Sequence, residues 1–311
     1  MEETGLQSLL MSSESGRDES GPAPGEFPSI ESLPRGRRVE LSRGVGFYRE
    51  VKGPADSPTV VLLHGWMATG GLNWFQSFGP LGQSFRVIAP DLAGHGQGLR
   101  SWKAFSLRDC AEDVAQLIEK TTTGPVIVAG YSMGGAVAQL LWKHHPEKVA
   151  GLVLCATGPV LVPNLRHRIV LGATMSALVR TTRVAQASTY LPRQILGTLW
   201  PARNRPKSET LRHWAGSEIR RHDWRMVLEA GRDLGRFNAA RWILRVDVPT
   251  AVIVTKRDAA IDPSVQLKMA LAIPDARVHL IDDGHLSCTS PRFANVLSQA
   301  CADVATAIPA A

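Results

Sequence analysis

The chain has 311 residues, enough for one large domain or for one domain that carries an insertion. Its composition, 44% hydrophobic and 20% charged, excludes an intrinsically disordered chain. The net charge of +7 is unevenly spread: residues 158–245 carry 16 Lys and Arg against 5 Asp and Glu (+11), whereas the rest of the chain carries 19 against 23 (−4). Because the excess lies in one segment, the charge does not favour nucleic-acid binding by the whole protein.

Localisation signals are few. The four cysteines show neither the spacing of a metal site nor that of a disulfide framework, which is typical of a reducing compartment. No apolar run is long enough to cross a bilayer, and the N-terminus lacks the basic and apolar regions of a secretory signal. We therefore expect a cytoplasmic protein. The cysteines are Cys110, Cys155, Cys288 and Cys301.

The N-terminal region predicts a tail followed by a hairpin. Residues 1–38 are rich in Ser, Glu, Gly and Pro and offer little apolar surface to bury, so we expect a disordered tail. Residues 39–51 have the pattern of an antiparallel hairpin, with Gly44 and Gly46 near its turn.

Short apolar runs then recur along the chain and alternate with helical periods. Continuous runs of this kind are typical of strands that are covered on both faces, and so of a parallel sheet. The sequence therefore predicts an α/β fold with a mostly parallel central sheet flanked by helices. The predicted strands are 59–63, 85–89, 126–129, 152–155, 250–254 and 278–281.

Helical segments separate these strands. Ser106 precedes apolar residues at helical spacing and is expected to be an N-cap, and a second helical period follows Ser132 directly. Over 158–245 the strand pattern stops, and Arg and Trp become frequent. We interpret that segment as a helical cap (lid) inserted between two parts of one core domain, 39–157 and 246–308.

The five residues from Gly130 to Gly134 (Gly-Tyr-Ser-Met-Gly) lie between a predicted strand and a predicted helix. A serine in this strand–turn–helix setting is held in a sharp turn, and glycines are needed because side chains at their positions would collide. The hydroxyl then points at a helix N-terminus, where negative charge is stabilised. We predict Ser132 to be a nucleophile.

A serine nucleophile needs a base that is itself oriented by a carboxylate. His285 follows the strand 278–281, whereas His279 lies inside that strand. Asp258 follows the strand 250–254 and is the preferred acid. Asp262 is the competing acid, although its position before Pro263 favours an N-cap instead.

Acyl transfer also needs donors for the oxyanion of the tetrahedral intermediate, and these are commonly two main-chain N–H groups. Met133, directly after Ser132, is expected to supply one. Trp66, in the turn after the strand 59–63, is expected to supply the other, and its indole could line an acyl pocket. The alternative for Trp66 is that it only packs.

Together these motifs resemble the α/β-hydrolase superfamily, in particular its esterase, lipase and cofactor-free perhydrolase members. The likeness covers about 39–157 and 246–308. It rests on His64-Gly65-Trp66, Asp91-Leu92-Ala93-Gly94-His95-Gly96, Gly130-Tyr131-Ser132-Met133-Gly134-Gly135, Asp258 and Gly284-His285.

The resemblance implies roles for these positions. Ser132 would be the nucleophile, His285 the base and Asp258 its orienting acid, with Trp66 and Met133 as the main-chain oxyanion donors. Asp91 and His95 match a loop that braces the site. No metal or organic cofactor is implied. Serine at the turn argues against haloalkane dehalogenases and epoxide hydrolases, which have aspartate there.

One position departs from the family pattern. Many members carry glycine three residues before the acid, where this chain has Thr255. We therefore expect a local change in that turn.

The expected function is hydrolysis of a small-molecule carboxylic ester, small or lipid-like and apolar, through an acyl-enzyme on Ser132. Peroxide or an alcohol as acceptor, and cleavage of a carbon–carbon bond beside a ketone, would use the same residues. A ligand-binding protein without catalysis is the alternative from another class. The pattern leaves the oligomeric state open.

Two features of residues 158–245 bear on partners. The apolar run 169–179 is too short to span a bilayer, and packing over the core is favoured over contact with a membrane surface. Its flanking arginines are expected to form a solvated face rather than an anion site, and no nucleic-acid-binding motif is present. These arginines are Arg166, Arg168, Arg180 and Arg183.

Overall fold

A sheet of eight strands forms the centre of the protein, whose computed structural model describes residues 33–189 and 211–309, except the side chains of 183–189 and 211–213. The strands are β1 (Gly36–Leu41), β2 (Gly44–Val51), β3 (Thr59–Leu63), β4 (Arg86–Asp91), β5 (Val126–Tyr131), β6 (Val149–Cys155), β7 (Thr250–Thr255) and β8 (Arg277–Ile281). Their order is β1-β2-β4-β3-β5-β6-β7-β8. Strand β2 pairs antiparallel with both β1 and β4. All the other neighbouring strands in this order pair in parallel.

The predicted α/β fold is confirmed, with all six predicted strands in the parallel part of the sheet and the predicted hairpin in β1 and β2. The boundary of the predicted tail was wrong. Strand β1 begins at Gly36, so residues 36–38 belong to the sheet. Main-chain hydrogen bonds to β2 stabilise this exposed edge strand. Because its first residues are polar or glycine, no apolar run predicted a strand there. Residues 1–32 of the predicted tail lie outside the described residues.

Helices cover both faces of the sheet. They are α1 (Gly70–Trp74), α2 (Phe78–Gly82), α3 (Leu107–Thr121), α4 (Met133–His144), α5 (Leu165–Thr189), α6 (Leu211–Arg220), α7 (Trp224–Leu234), α8 (Pro263–Ala272) and α9 (Pro291–Ala307). One buried cluster joins α3, α4, α7 and α8 to the sheet, and a second joins α1, α2 and α9 to its other face. In β3, Val61 and Leu63 enter the first cluster while Val60 and Leu62 enter the second, as the two-residue period of a strand requires.

The segment between β6 and β7 is helical where it is described, comprising α5, α6, α7 and a short 3₁₀ turn, Ile243–Arg245. Helix α5 packs against α7 but leaves Ile169 (62%) and Val170 (63%) exposed, so packing covers only part of the apolar run 169–179. An unbroken apolar run points around the whole helix, and only one side of α5 faces α7. No helix in the described ranges is long and apolar enough to cross a membrane.

Two predicted N-caps are present. The Ser106 hydroxyl accepts hydrogen bonds from the N–H groups of Arg108 (3.1 Å) and Asp109 (3.4 Å) at the start of α3. The Asp262 carboxylate accepts one from the Ser264 N–H (2.8 Å), and Pro263 is the first residue of α8. Each side chain satisfies a donor that has no partner within its helix.

Replacing Ser106 with alanine removes the acceptor for these N–H groups. We expect the free energy of unfolding to fall by about 1 kcal/mol, measured by urea denaturation. The Ser106→Asp variant keeps an acceptor and is the control. An equal loss in both variants would contradict the capping role.

Candidate active site

Ser132 lies between the last residue of β5 and the first residue of α4, in a left-handed backbone conformation (φ 52°, ψ −112°). Such a conformation costs a non-glycine residue about 1–3 kcal/mol unless its surroundings hold it. The Ser132 N–H donates to the Cys155 carbonyl (2.9 Å), and the Thr157 hydroxyl donates to the Ser132 carbonyl (2.9 Å). Both peptide groups of the turn are therefore tied to the end of β6 and the residues that follow it.

The two glycines of the turn have the steric role that their spacing predicts. A Cβ atom on Gly130 would collide with the carbonyl oxygen of Gly134, and one on Gly134 would collide with that of Leu63. Since both obstacles are main-chain atoms, neither can rotate away. The turn can therefore pack against β3 only when both positions are glycine.

His285 contacts Ser132 and Asp258. Its Nε2 lies 3.1 Å from the Ser132 hydroxyl, and its Nδ1 lies 2.8 Å from Oδ2 of Asp258. Because the carboxylate only accepts, Nδ1 carries the hydrogen and Nε2 is free to accept the hydroxyl proton. The structure thus brings together the three side chains predicted as nucleophile, base and acid.

Tyr131, the residue before Ser132, binds the loop that carries His285 through its hydroxyl. The buried Tyr131 hydroxyl donates to the His285 carbonyl (2.8 Å) and lies 3.0 Å from the Ser287 hydroxyl. One residue of the serine turn therefore positions the histidine loop. Sequence reasoning missed this contact, since it assigned no role to Tyr131 within the Gly-Tyr-Ser-Met-Gly turn.

Asp258 is buried (6% exposed) and accepts hydrogen bonds on both carboxylate oxygens. Oδ1 accepts from the N–H groups of Ala260 (2.8 Å) and Ile261 (2.9 Å). Burial by itself raises the pKa of Asp258, but hydrogen bonds from His285, Ile261 and Thr255 outweigh it and leave the pKa below its ordinary value. The carboxylate is therefore ionised at neutral pH and able to hold the Nδ1–H of His285.

The departure at Thr255 has a structural consequence. The Thr255 hydroxyl donates to Oδ2 of Asp258 (2.7 Å), and the side-chain amide of Gln266 in α8 donates to the same oxygen (3.2 Å) and to the Thr255 hydroxyl (2.9 Å). Glycine at this position would provide no such donor. Sequence reasoning predicted a local change here but not Gln266, which α8 brings back to the end of β7.

The turn expected to supply an oxyanion donor lies beside Ser132. A Cβ atom on Gly65 would lie 3.6 Å from the Cβ of Ser132, which places the Trp66 main chain close to Ser132. The Trp66 indole points toward α7, where its Nε1 donates to the Val227 carbonyl (2.8 Å). Met133 is the first residue of α4, so its N–H has no partner within the helix.

Buried polar residues brace this turn. The His64 ring receives the Leu92 N–H at Nε2 (2.9 Å) and donates from Nδ1 to the Gly65 carbonyl (2.8 Å). Burial lowers the pKa of His64 to about 3, so the ring stays neutral. Asp91 accepts from the N–H groups of Gly70 (2.8 Å) and Gln97 (2.8 Å), and burial raises its pKa to about 6.

In the described ranges, no group of three or more His, Cys, Asp or Glu side chains has the arrangement of a metal site. The four cysteines are buried and unpaired as disulfides, and burial raises the pKa of the Cys288 thiol to about 12. The Ser132 hydroxyl, by contrast, lies within hydrogen-bonding distance of a histidine nitrogen that can accept its proton.

We expect the Thr255→Val variant to lower the free energy of unfolding by about 1–3 kcal/mol, because the Asp258 carboxylate and the Gln266 amide each lose a buried partner while the shape is kept. Urea denaturation measures the change. Thr255→Ser keeps the hydroxyl and should retain most of the stability. A Val variant as stable as the Ser variant would show that the hydroxyl contributes nothing.

Comparison with known proteins gives the following relatives. A poly(3-hydroxyalkanoate) depolymerase of Ectopseudomonas oleovorans is 28% identical over 214 residues, 66% of this chain and 70% of that protein. A magnesium-chelatase 30 kDa subunit of Rhodobacter capsulatus is 29% identical over 253 residues, 75% and 82% of the two chains. Other relatives, one of them 34% identical over 125 residues, are matched over less than half of their own length.

Solved structures share the fold. A thermophilic esterase from Thermogutta terrifontis superimposes with a TM-score of 0.68 at 21% identity, over 87% of this chain and 99% of that one. The family described as alpha/beta hydrolase fold matches residues 58–289, which include every residue of the candidate site. The resemblance is thereby confirmed, and this chain belongs to the α/β-hydrolase family.

Proposed function

We propose that the protein hydrolyses a carboxylic ester through an acyl-enzyme on Ser132. The observation that carries the proposal is the continuous series of hydrogen bonds from Asp258 through His285 to the Ser132 hydroxyl, with lengths of 2.8 and 3.1 Å. The strained turn presents the hydroxyl at the N-terminus of α4, where a developing negative charge is favoured. The relative named as a depolymerase is consistent with hydrolysis.

The geometry accounts for the acylation step. As the Ser132 oxygen bonds to the ester carbonyl carbon, its proton passes to Nε2 of His285, and the resulting imidazolium is stabilised by the Asp258 carboxylate. The carbonyl oxygen becomes an oxyanion, which the N–H groups of Met133 and Trp66 would bind. When the tetrahedral intermediate collapses, the alkoxide leaving group takes the proton from Nε2.

Deacylation repeats these movements with water. His285 removes a proton from water while the water oxygen attacks the acyl carbon, and the proton then returns to the Ser132 oxygen as the acid departs. The cycle consumes one ester and one water and restores the enzyme. No metal or organic cofactor takes part in any step.

An apolar substrate, small or lipid-like, suits the surroundings. Met67 (37% exposed) directly follows Trp66, and Leu286 (74% exposed) directly follows His285, so both oxyanion turn and base are flanked by exposed hydrophobic side chains. Burying such groups against an apolar acyl or alcohol part is favourable by about 25 cal/mol per Å². We further propose that residues 158–245 act as a cap that selects the substrate, because α7 contacts the Trp66 indole.

Ser132→Ala tests the mechanism. We expect stoichiometric labelling of the wild-type protein by a fluorophosphonate probe, none of the variant, and a fall in kcat for a nitrophenyl ester on the order of 10⁴-fold or more. Labelling is read by intact-mass spectrometry. Equal labelling of both proteins, or none of the wild type, would reject Ser132 as nucleophile.

The two neighbouring aspartates provide a matched pair. Asp258→Asn is expected to reduce kcat by about 10³–10⁴-fold, since the amide no longer holds the histidine in the reactive tautomer. Asp262→Ala should keep kcat and lose only about 1 kcal/mol of stability, since its carboxylate caps α8. Ester kinetics and urea denaturation of both variants measure this. The reverse pattern would make Asp262 the functional acid.

The remaining alternatives differ in what they consume. Peroxide supplied with a short carboxylic acid yields a peracid only if the acyl-enzyme accepts peroxide in place of water. A vinylogous diketone turned over faster than simple esters would favour carbon–carbon cleavage. Retention of ligand with no turnover of any ester would favour a binding protein.

A further inference from the structure

His222 connects the described part of residues 158–245, called the cap segment below, to the loops that follow β3 and β4. It lies in the turn between α6 and α7 and is buried (7% exposed). The N–H of Gly96, in the loop after β4, donates to its Nδ1 (2.9 Å). Its Nε2 lies 3.1 Å from the carbonyl oxygen of Met67, in the turn after β3.

These partners define the protonation state of the ring. A main-chain N–H can only donate, so Nδ1 of His222 must carry a lone pair. Nε2 then carries the hydrogen and donates to the Met67 carbonyl. Only the neutral imidazole can make both hydrogen bonds, because the bond from Gly96 needs the lone pair on Nδ1, whereas a protonated ring could still donate to Met67.

A hydrogen bond to the Met67 carbonyl stabilises the turn after β3. Met67 has a left-handed backbone (φ 60°), which needs support from its surroundings, and it directly follows Trp66. The Trp66 indole is held by the same part of the cap segment: its Nε1 donates to the Val227 carbonyl (2.8 Å), and a Cβ atom on Gly231 would lie 2.7 Å from the ring. The turn is thus attached to the cap segment through the Met67 carbonyl and the Trp66 indole, and the Thr69 hydroxyl of the same turn donates to the Glu218 carboxylate (3.0 Å).

We propose that His222 is a positioning residue that holds the Trp66 N–H at the oxyanion and makes this donor depend on where the cap segment lies. The inference rests on the proposed acyl transfer at Ser132. A donor displaced by a fraction of an ångström binds the oxyanion less well, although the substrate still binds.

The charges around His222 set the pH range of this coupling. Burial lowers the pKa of His222 below its ordinary value, as does Arg100, while the hydrogen bond to Met67 and the carboxylate of Glu218 oppose the shift. Other groups near the ring are the neutral His95, whose ring centroid is 5.3 Å away, the indole of Trp224 at 5.7 Å, and the neutral His64, whose pKa is lowered by burial and also by His222. Asp223, the next residue, caps α7 with its carboxylate. The ring is therefore neutral at neutral pH and gains a proton only in acid.

Protonation of His222 would place two hydrogen-bond donors opposite each other. Nδ1–H would face the Gly96 N–H, so that hydrogen bond would be lost and the ring would shift away from Gly96. Since Nε2–H still donates to the Met67 carbonyl, this shift would displace the turn that carries Trp66. The acid side of the kcat/KM profile should consequently contain the protonation of His222 in addition to that of the base.

The experiment compares His222→Phe, which keeps a planar ring without donors or acceptors, with His222→Gln, whose amide can still donate to Met67. His167→Phe, at an exposed histidine of α5, is the control. For each protein, fluorophosphonate titration counts the active sites, and kcat and KM for a nitrophenyl ester are expressed per titrated site. Hydrogen exchange of the peptide that contains residues 64–68 is measured by mass spectrometry.

We expect His222→Phe to lower kcat per titrated site about tenfold, with KM changed less than about twofold. Exchange of residues 64–68 should become faster, and the acid limb of the pH profile should become less steep. His222→Gln should recover part of the rate, and His167→Phe should match the wild type. A structural role alone would reduce the titrated fraction and leave the rate per site, the pH profile and the rescue unchanged.

Wild-type rate per site and unchanged exchange in His222→Phe would overturn the proposal. If that variant does not fold, His222→Gln and the wild-type acid limb decide, because a wild-type limb of single-proton steepness also contradicts it. A wild-type protein that neither reacts with the probe nor hydrolyses esters rejects the proposed function instead. The exchange measurement still reports whether His222 holds the turn in that case.

Discussion

The left-handed backbone of Ser132 is the constraint from which the rest of the site follows, because it turns the chain from a buried strand directly into a helix. The conformation is held by hydrogen bonds to both adjacent peptide groups and by contacts that only glycines at 130 and 134 permit. These contacts offset the strain of the Ser132 backbone. Its result is a hydroxyl that stands clear of the sheet beside the N-terminus of a helix.

The parallel sheet brings the partners of this hydroxyl to it. Asp258 and His285 follow β7 and β8, and the carboxyl ends of parallel strands meet at one edge of the sheet. Residues 153 positions apart in sequence therefore lie within hydrogen-bonding distance. The carboxylate at the end of the series is buried and supplied with enough donors to remain charged, which a buried acid otherwise avoids.

The segment between β6 and β7 is joined to this site more closely than an insertion needs to be. The Trp66 indole contacts α7, and the His222 ring contacts Met67 and Gly96, so side chains of both the segment and the core take part in the contacts between them. Neutral buried histidines at 64, 95 and 222 lie in successive ring contacts of 5.2 and 5.3 Å. They supply hydrogen-bonding capacity without placing charge near the site.

The fold and the predicted positions of Ser132, Asp258 and His285 could be derived from the sequence, because apolar runs mark strands and a polar residue just after a strand lies at the sheet edge. Pro263 likewise identified Asp262 as a helix cap. The first three residues of the edge strand β1, 36–38, and the exposed side of α5 escaped prediction, since main-chain pairing and helix orientation leave little trace in composition. Tyr131, Gln266 and His222 became recognisable only in three dimensions. Their partners are distant in sequence, and a hydrogen bond depends on distance and direction, which only the packed chain sets.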